Sequence, residues 1–118
     1  MSMIFKIATA ADWAEAERAG AFHGSAHDKA DGFMHFSTAS QLAETLRLYY
    51  AGQDGLVLAA VDEAVLGAAI KWEHAPSRGE DFPHLFAPLP LSAVKWTHRL
   101  SRDAQGTAVL PEMVFAGG

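Results

Sequence analysis

Three short segments of the sequence hold the side chains best suited to chemistry, and the first is DGFMHFST at residues 31–38. His35 can bind a ribose hydroxyl or a phosphate, or move a proton, because imidazole changes charge near physiological pH. Ser37 and Thr38 stand where a helix is predicted to begin, and free N–H groups at helix N-termini attract anions. The segment therefore predicts a ligand contact. The alternative is a core histidine bonded to a backbone carbonyl, followed by ordinary helix caps.

Glu73 and the sequence FPHLF at residues 82–86 are the other two segments. Glu73 ends a predicted strand, where the scaffold would hold its carboxylate beside a long loop. Pro83 fixes one backbone φ angle and thereby restricts His84, which follows it. We expect Glu73 and His84 to serve a site. The alternatives are a solvated carboxylate and a hydrogen-bonded core histidine.

The 6 histidines raise the question of a metal site, because 6 is a high number for this length. His23 and His27 are four residues apart, which suits a shared ion only on a helix, and the Gly-Ser pair between them disfavours one. His35, Glu73 and His84 could meet as a facial triad, the ligand set of a metal-dependent hydrolase. The sequence contains neither an HExxH motif nor a ladder of Cys and His. We therefore expect no metal.

The composition excludes several classes of protein. The 118 residues include 9 Lys and Arg, 14 Asp and Glu and no Cys, so the net charge is −5 and disulfides cannot form. A general nucleic-acid binder needs a basic face, and no run approaches the roughly 20 apolar residues that span a bilayer. Phosphate-binding loops and nucleophile elbows are absent from the sequence. We expect a cytoplasmic protein that binds neither nucleic acid nor membrane.

The elements that must position these residues indicate an α+β fold in one domain, residues 1–118. Capping signals and apolar spacing predict helices over residues 10–19 and 39–51. The predicted strands cover residues 3–8, 32–36, 56–61, 68–73 and 93–100, and the main predicted loops cover residues 21–31 and 74–81. This order favours two N-terminal helices packed on a mainly antiparallel sheet or on a split barrel.

The motifs also resemble a known family. DGFMHFS at residues 31–37, Gln41, KWE at 71–73 and FPHLF at 82–86 are similar to the signature of a small, mostly bacterial family, domain of unknown function 952. The resemblance covers about residues 3–98. That family is similar in fold to ADP-ribosyltransferases and RNA 2′-phosphotransferases, which bind NAD in the cleft of a split sheet. The resemblance therefore implies an ADP-ribosyltransferase-like fold with a nucleotide cleft.

The same resemblance assigns roles to individual residues. Glu73 would orient the ribose 2′-hydroxyl and stabilise an oxocarbenium-like centre, His35 would bind ribose or phosphate, and His84 would act as an acid, a base or a second ligand contact. Two positions depart from those enzymes. Lys6 lies where they have a histidine, and no glutamate occurs at residues 82–84, where their catalytic glutamate falls.

The implied ligand is NAD or a related nucleotide, whose pyrophosphate charge an acidic chain must offset locally. The residues predicted to contact it, besides the three above, are Lys6, Ser37, Thr38, Gln41, Lys71 and Arg78. The leading hypothesis is a cytoplasmic protein that binds such a nucleotide in a cleft and could act as an NAD-dependent transferase or hydrolase. The competing hypothesis is a non-catalytic binding module on the same fold, and the third is the metal-dependent hydrolase described above.

Overall fold

Antiparallel strands and short helices make up the fold, seen in a computed structural model that describes residues 2–116. The elements are β1 (Met3–Thr9), α1 (Ala10–Ala19), β2 (Ala21–Phe22), α2 (Ala26–Asp31), β3 (Met34–His35), α3 (Leu42–Tyr49), β4 (Leu56–Asp62), α4 (Glu63–Leu66), β5 (Ile70–Ala75), β6 (Glu80–Leu85), β7 (Leu89–Pro90), β8 (Val94–Arg99), β9 (Ser101–Arg102) and β10 (Ala108–Val109), with 3-10 turns at Ala39–Gln41, Gly67–Ala69, Leu91–Ala93 and Glu112–Phe115. The α+β class and the antiparallel pairing predicted from the sequence are confirmed.

The first of two three-stranded sheets has the order β1-β4-β8. Its central strand, Leu56–Asp62, is buried along its whole length, as expected for an apolar run covered on both faces. Because successive side chains of a strand point to opposite faces, the sheet separates two cores. Ile4 shares one core with Trp13 of α1, and Phe5 shares the other with Leu42 of α3.

The second sheet, with the order β3-β6-β5, carries four of the predicted site residues, namely His35, Lys71, Glu73 and His84. Its register places His35 opposite His84, and His84 opposite Lys71. Glu73 follows two residues after Lys71, so all four side chains share one face of the sheet. Met34 points to the opposite face, where it is buried in the core.

A two-residue contact joins the sheets. Phe5 donates its N–H to the carbonyl of Ser37 at 2.8 Å, and Ser37 donates to the carbonyl of Phe5 at 2.9 Å. This bridge places the middle of β1 beside the end of β3. It therefore brings Lys6, the residue after Phe5, next to His35.

The helices differ from the prediction in number and length. Residues 21–31, predicted as a loop that could hold a short extended piece, contain the short strand β2 and also the helix α2, so three helices precede β4 in the described chain, not two. The reason is that α2 buries only Asp28 and so has no apolar stripe to reveal it. The helix predicted over 39–51 is a 3-10 turn followed by Leu42–Tyr49. None of the helices in residues 2–116 is long and apolar enough to cross a membrane.

A hairpin replaces the loop predicted over residues 74–81. Ala75 pairs with Glu80, so β5 and β6 continue almost to the turn. The side chains at this end of the hairpin are mostly exposed, and no apolar alternation marks them as strand. Gly79 closes the turn with a φ of 68°, which glycine adopts without steric cost.

Candidate functional site

Two histidines lie side by side on the face of the second sheet that also carries the exposed side chains of Lys71 and Glu73. The rings of His35 and His84 are 5.6 Å apart between centroids and meet edge to face at 71°. Glu73 contacts the second of these rings. The structure thus brings together the three residues predicted to carry chemistry.

The Glu73 carboxylate orients His84. Glu73 Oε1 lies 2.8 Å from His84 Nδ1, and because a carboxylate only accepts hydrogen bonds, the ring donates through Nδ1. This contact leaves the Nε2 atom of His84 as the ring atom that can accept or donate a proton. None of the described residues bonds Glu73 Oε2, and the side chain of Glu73 is half-exposed, so this oxygen can meet a ligand.

A second carboxylate, Asp28, orients His35 in the same way. Asp28 Oδ1 lies 2.6 Å from His35 Nδ1 and also accepts the backbone N–H of His35 at 3.2 Å. On its other side, His35 Nε2 lies 2.8 Å from Asp31 Oδ2. The site therefore contains two histidines whose Nδ1 atoms lie on carboxylates, in the pairs Asp28–His35 and Glu73–His84. Asp28, the acid of the first pair, was not among the predicted site residues.

Asp28 is held by a buried ion pair. Lys6 Nζ lies 2.7 Å from Asp28 Oδ2 and donates to the carbonyl of His35 at 3.0 Å, while both Lys6 and Asp28 are only 2% exposed. Burial raises the pKa of Asp28, but the hydrogen bond from His35 and the charge of Lys6 outweigh it and hold the pKa far below its usual range. Burial also lowers the pKa of the Lys6 amine, against the attraction of Asp28.

The sequence does contain a signal for this missed acid. Ser25 and Asp28 have the spacing of a capping box, in which Ser25 Oγ accepts the N–H of Asp28 at 3.1 Å and Asp28 Oδ2 accepts the N–H of Ser25 at 2.9 Å. Gly32 then ends the helix with a φ of 84°. These two signals would have identified α2 and placed Asp28 in its first turn.

Aromatic rings cover the histidines and border a small cavity. Phe33 stacks on His84 with 4.0 Å between centroids, and Phe86 lies 5.3 Å from Phe33. Both phenylalanines line a cavity of about 260 Å³ together with His23 and Pro88. Phe86 is 43% exposed, so its ring offers an open apolar surface beside the catalytic candidates.

Four of the predicted ligand contacts lie away from the histidine rings, around the start of α3. The Ser37 hydroxyl bonds the Thr45 hydroxyl at 3.0 Å, and Arg78 Nη1 donates to the same Thr45 oxygen at 3.1 Å. Gln41 donates to the carbonyl of residue 81 at 2.8 Å and accepts the N–H of Thr38 at 3.0 Å. These polar groups are bonded within the protein.

The two predicted lysines have different surroundings. Lys71 stands opposite His84 in the sheet and is exposed, so its ammonium can reach a ligand at the histidine rings. Lys6 lies beneath His35, where the ion pair with Asp28 occupies it. A direct contact between Lys6 and a ligand would require that buried pair to open.

One group of side chains in residues 2–116 has the spacing of metal ligands. It consists of His27, Asp31 and His35, whose donor atoms lie within 4.8 Å of one another. The triad considered from the sequence, His35, Glu73 and His84, is not among the described groups with this spacing. The other candidate set, His23 and His27, does not have it either. Ser25 caps α2, so the helix begins after His23 and does not place that residue and His27 on one face.

Comparisons with known proteins agree with the motifs. The family described as "Protein of unknown function (DUF952)" matches residues 7–97. The crystal structure of protein CC0527 from Caulobacter crescentus is 41% identical, with a TM-score of 0.91 over 97% of this chain and 99% of that one. The solution NMR structure of CC0527 is 44% identical, with a TM-score of 0.80 over 90% of each chain. No curated protein matches this chain. The chain belongs to the DUF952 family.

Proposed function

We propose that the exposed face of the second sheet binds a nucleotide-type ligand of the NAD or ADP-ribose class and acts on it by acid–base chemistry. The observation that carries this proposal is the pair of neighbouring histidines, each with its Nδ1 on a carboxylate. A carboxylate behind a histidine fixes its tautomer and orientation, which is how proteins prepare an imidazole for proton transfer. A histidine that only filled space in a core would not need a carboxylate partner, and here two neighbouring histidines each have one.

The surroundings of the histidines suit the parts of such a ligand. The cavity beside Phe33 and Phe86 has about 260 Å³, below the roughly 300–1,000 Å³ of sites that enclose a drug-sized ligand, so it accommodates one ring and not a whole dinucleotide. A base or nicotinamide ring stacks there on an aromatic side chain, a contact worth about 1–3 kcal/mol. Ribose and phosphate then extend towards His35 and Lys71.

The reaction proposed is cleavage of the bond between ribose C1′ and the nicotinamide nitrogen. The bonding electrons leave with the pyridinium nitrogen, so nicotinamide departs neutral and needs no proton. Water or another hydroxyl attacks C1′ and gives its proton to Nε2 of His84. Glu73 Oε2 accepts a hydrogen bond from the ribose 2′-hydroxyl and stabilises the positive charge that develops at C1′. The resemblance to ADP-ribosyltransferases supports this choice of substrate and an ADP-ribosyltransferase-like fold.

A non-catalytic binding module is the second candidate. It is favoured by the two departures from those enzymes, namely Lys6 in place of a histidine and the absence of glutamate at residues 82–84. Lys6 is committed to Asp28, so it does not replace the histidine as a ligand contact. Such a module would bind the same ligand but release no nicotinamide.

Ligand binding is tested by thermal unfolding. We expect millimolar ADP-ribose or NAD to raise Tm by several degrees, because a ligand at 100 times its Kd stabilises the folded state by about 2.7 kcal/mol. The measurement is made both in EDTA and with added Zn²⁺. The stabilisation should be lost in Lys71→Glu, which reverses a charge beside His84, and kept in Lys95→Glu, a matched change on β8. Unchanged Tm with both nucleotides in both buffers would contradict the proposal.

A further inference from the structure

We propose that His27, Asp31 and His35 bind one Zn²⁺ ion, with a fourth position open to water or to an oxygen of a ligand. The inference goes beyond the proposed function, because it uses two residues of α2 that the nucleotide site does not require. It differs from the metal sites considered from the sequence, since it contains neither His23, Glu73 nor His84.

The separations of the donor atoms fit a tetrahedral zinc site. Asp31 Oδ2 lies 2.8 Å from His35 Nε2 and 3.5 Å from His27 Nε2. Two donors at zinc bond lengths of roughly 2.0–2.1 Å and a tetrahedral angle lie about 3.3 Å apart. The rings of His27 and His35 are stacked, with 4.7 Å between centroids and 23° between planes. All three donor atoms lie within 4.8 Å of one another, and the exposed side chain of His27 can rotate out of the stack to bring its Nε2 to the same ion.

The scaffold holds these donors from two elements. His27 and Asp31 are one turn apart on α2, so they lie on the same face of the helix. His35 comes from β3 and donates its other ring N–H to Asp28 at 2.6 Å. Zinc-bound histidines almost always carry such a hydrogen bond to a carboxylate or carbonyl, because it fixes the ring and raises its basicity. Asp28, anchored by Lys6, supplies that support.

The ligand count indicates the kind of site. Structural zinc ions have four protein ligands, whereas three protein ligands with an open position are typical of catalytic zinc. His27 has a side chain that is 73% exposed, so the open position is accessible from solvent. Zn²⁺ would also offset the carboxylates of Asp31 and Glu73, whose negative charge opposes an anionic ligand at this face.

Zinc affinity of the full chain without a histidine tag tests the inference. The protein is stripped of metal and titrated with Zn²⁺ in competition with a chromogenic chelator. We expect one equivalent to bind, and His27→Ala and Asp31→Asn to weaken binding at least about 100-fold, since losing an outer partner alone costs 10–100-fold. The matched control is His74→Ala, which removes an exposed histidine 3.0 Å from Asp81 and should keep the affinity.

The outcomes separate this inference from the proposed function. Absence of zinc binding, equal affinity in His27→Ala and the wild type, or an equal loss in His74→Ala would overturn the zinc site. Stabilisation by ADP-ribose in EDTA alongside any of these results would leave the nucleotide proposal intact. Conversely, zinc binding that depends on His27, without stabilisation by nucleotide in either buffer, would support the zinc site and contradict only the nucleotide proposal.

Discussion

Replacing Asp28 by asparagine is expected to lower the free energy of unfolding by about 3–5 kcal/mol, the usual cost of removing one partner of a buried ion pair. Lys6 and Asp28 are both 2% exposed, so the amine left behind has no access to water and must either stay charged without a counter-ion or lose its proton. The carboxylate also accepts from His35 Nδ1 and the N–H of Ser25, and an amide oxygen cannot replace both oxygens. Urea unfolding followed by circular dichroism measures the loss.

Two further variants show whether loss of the ion pair causes the loss of stability in Asp28→Asn. Asp81→Asn removes a carboxylate that also contacts a histidine but is exposed, and it should change stability by no more than about 0.5 kcal/mol. Combining Lys6→Met with Asp28→Asn should recover part of the loss, because apolar residues often replace a buried ion pair without cost. A loss below about 1 kcal/mol in Asp28→Asn would show that the pair does not anchor the site.

The pH dependence of stability gives a second readout of the same pair, measured in EDTA. The folded-state pKa of Asp28 is held below that of the unfolded chain, which is about 3.9 for an aspartate. Between these two values the unfolded chain binds more protons, so the contribution of Asp28 is complete above about pH 5 and is lost as the pH falls towards the folded-state pKa. The slope of stability against pH below pH 4 should therefore be shallower in Asp28→Asn than in the wild type.

His84→Ala is expected to lower the rate of nicotinamide release from NAD by about 10²–10⁴-fold, the usual contribution of general acid–base catalysis. The change removes the proposed base but none of the side chains that line the cavity beside Phe86. Glu73→Gln should have a smaller effect in the same direction, because the amide oxygen can still accept from Nδ1 but carries no charge. Nicotinamide release is followed by chromatography, and circular dichroism confirms folding.

Two controls make this result specific. His98→Ala removes a histidine from β8, away from the second sheet, and should leave the rate unchanged. His84 is only 9% exposed, so His84→Ala could fail to fold. His84→Gln fills more of the side-chain volume than His84→Ala does and serves as the second variant in that case. Wild-type release rates in folded His84→Gln and Glu73→Gln would show that neither residue serves catalysis. Binding of NAD without release in the wild type would favour the binding module.

The sequence predicted the long elements well because local rules determine them. The strand over residues 56–61 follows from a continuous apolar run, and the helix over 10–19 from a threonine cap and a glycine stop. Thr9 Oγ1 accepts the N–H of Asp12 at 3.1 Å, as the capping signal predicted. The strand predicted over residues 32–36 likewise implies that His35 and Met34 face opposite sides, and Met34 is buried while His35 reaches the site.

The parts that sequence reasoning missed depend on contacts between distant elements. Helix α2 buries a single residue, and that residue is a charged one, so no hydrophobic period reveals it. The resemblance implies that Lys6 contacts ligand, because it lies where ADP-ribosyltransferases have a histidine, whereas the bridge between Phe5 and Ser37 places it under His35. Only the strand register shows that Glu73 reaches His84. No pattern within one segment of the chain carries that information.

The most direct test of the account is an NMR spectrum of the histidine side chains that correlates the ring nitrogens with the ring protons. We predict that the neutral form of His84 carries its proton on Nδ1, as Glu73 requires, and that His35 donates from Nδ1 to Asp28. Addition of ADP-ribose, with or without Zn²⁺, should shift the Nε2 signals of these two rings and leave those of His74 and His98 in place. Ring signals of His35 and His84 that do not respond to millimolar ligand in either buffer would contradict the account.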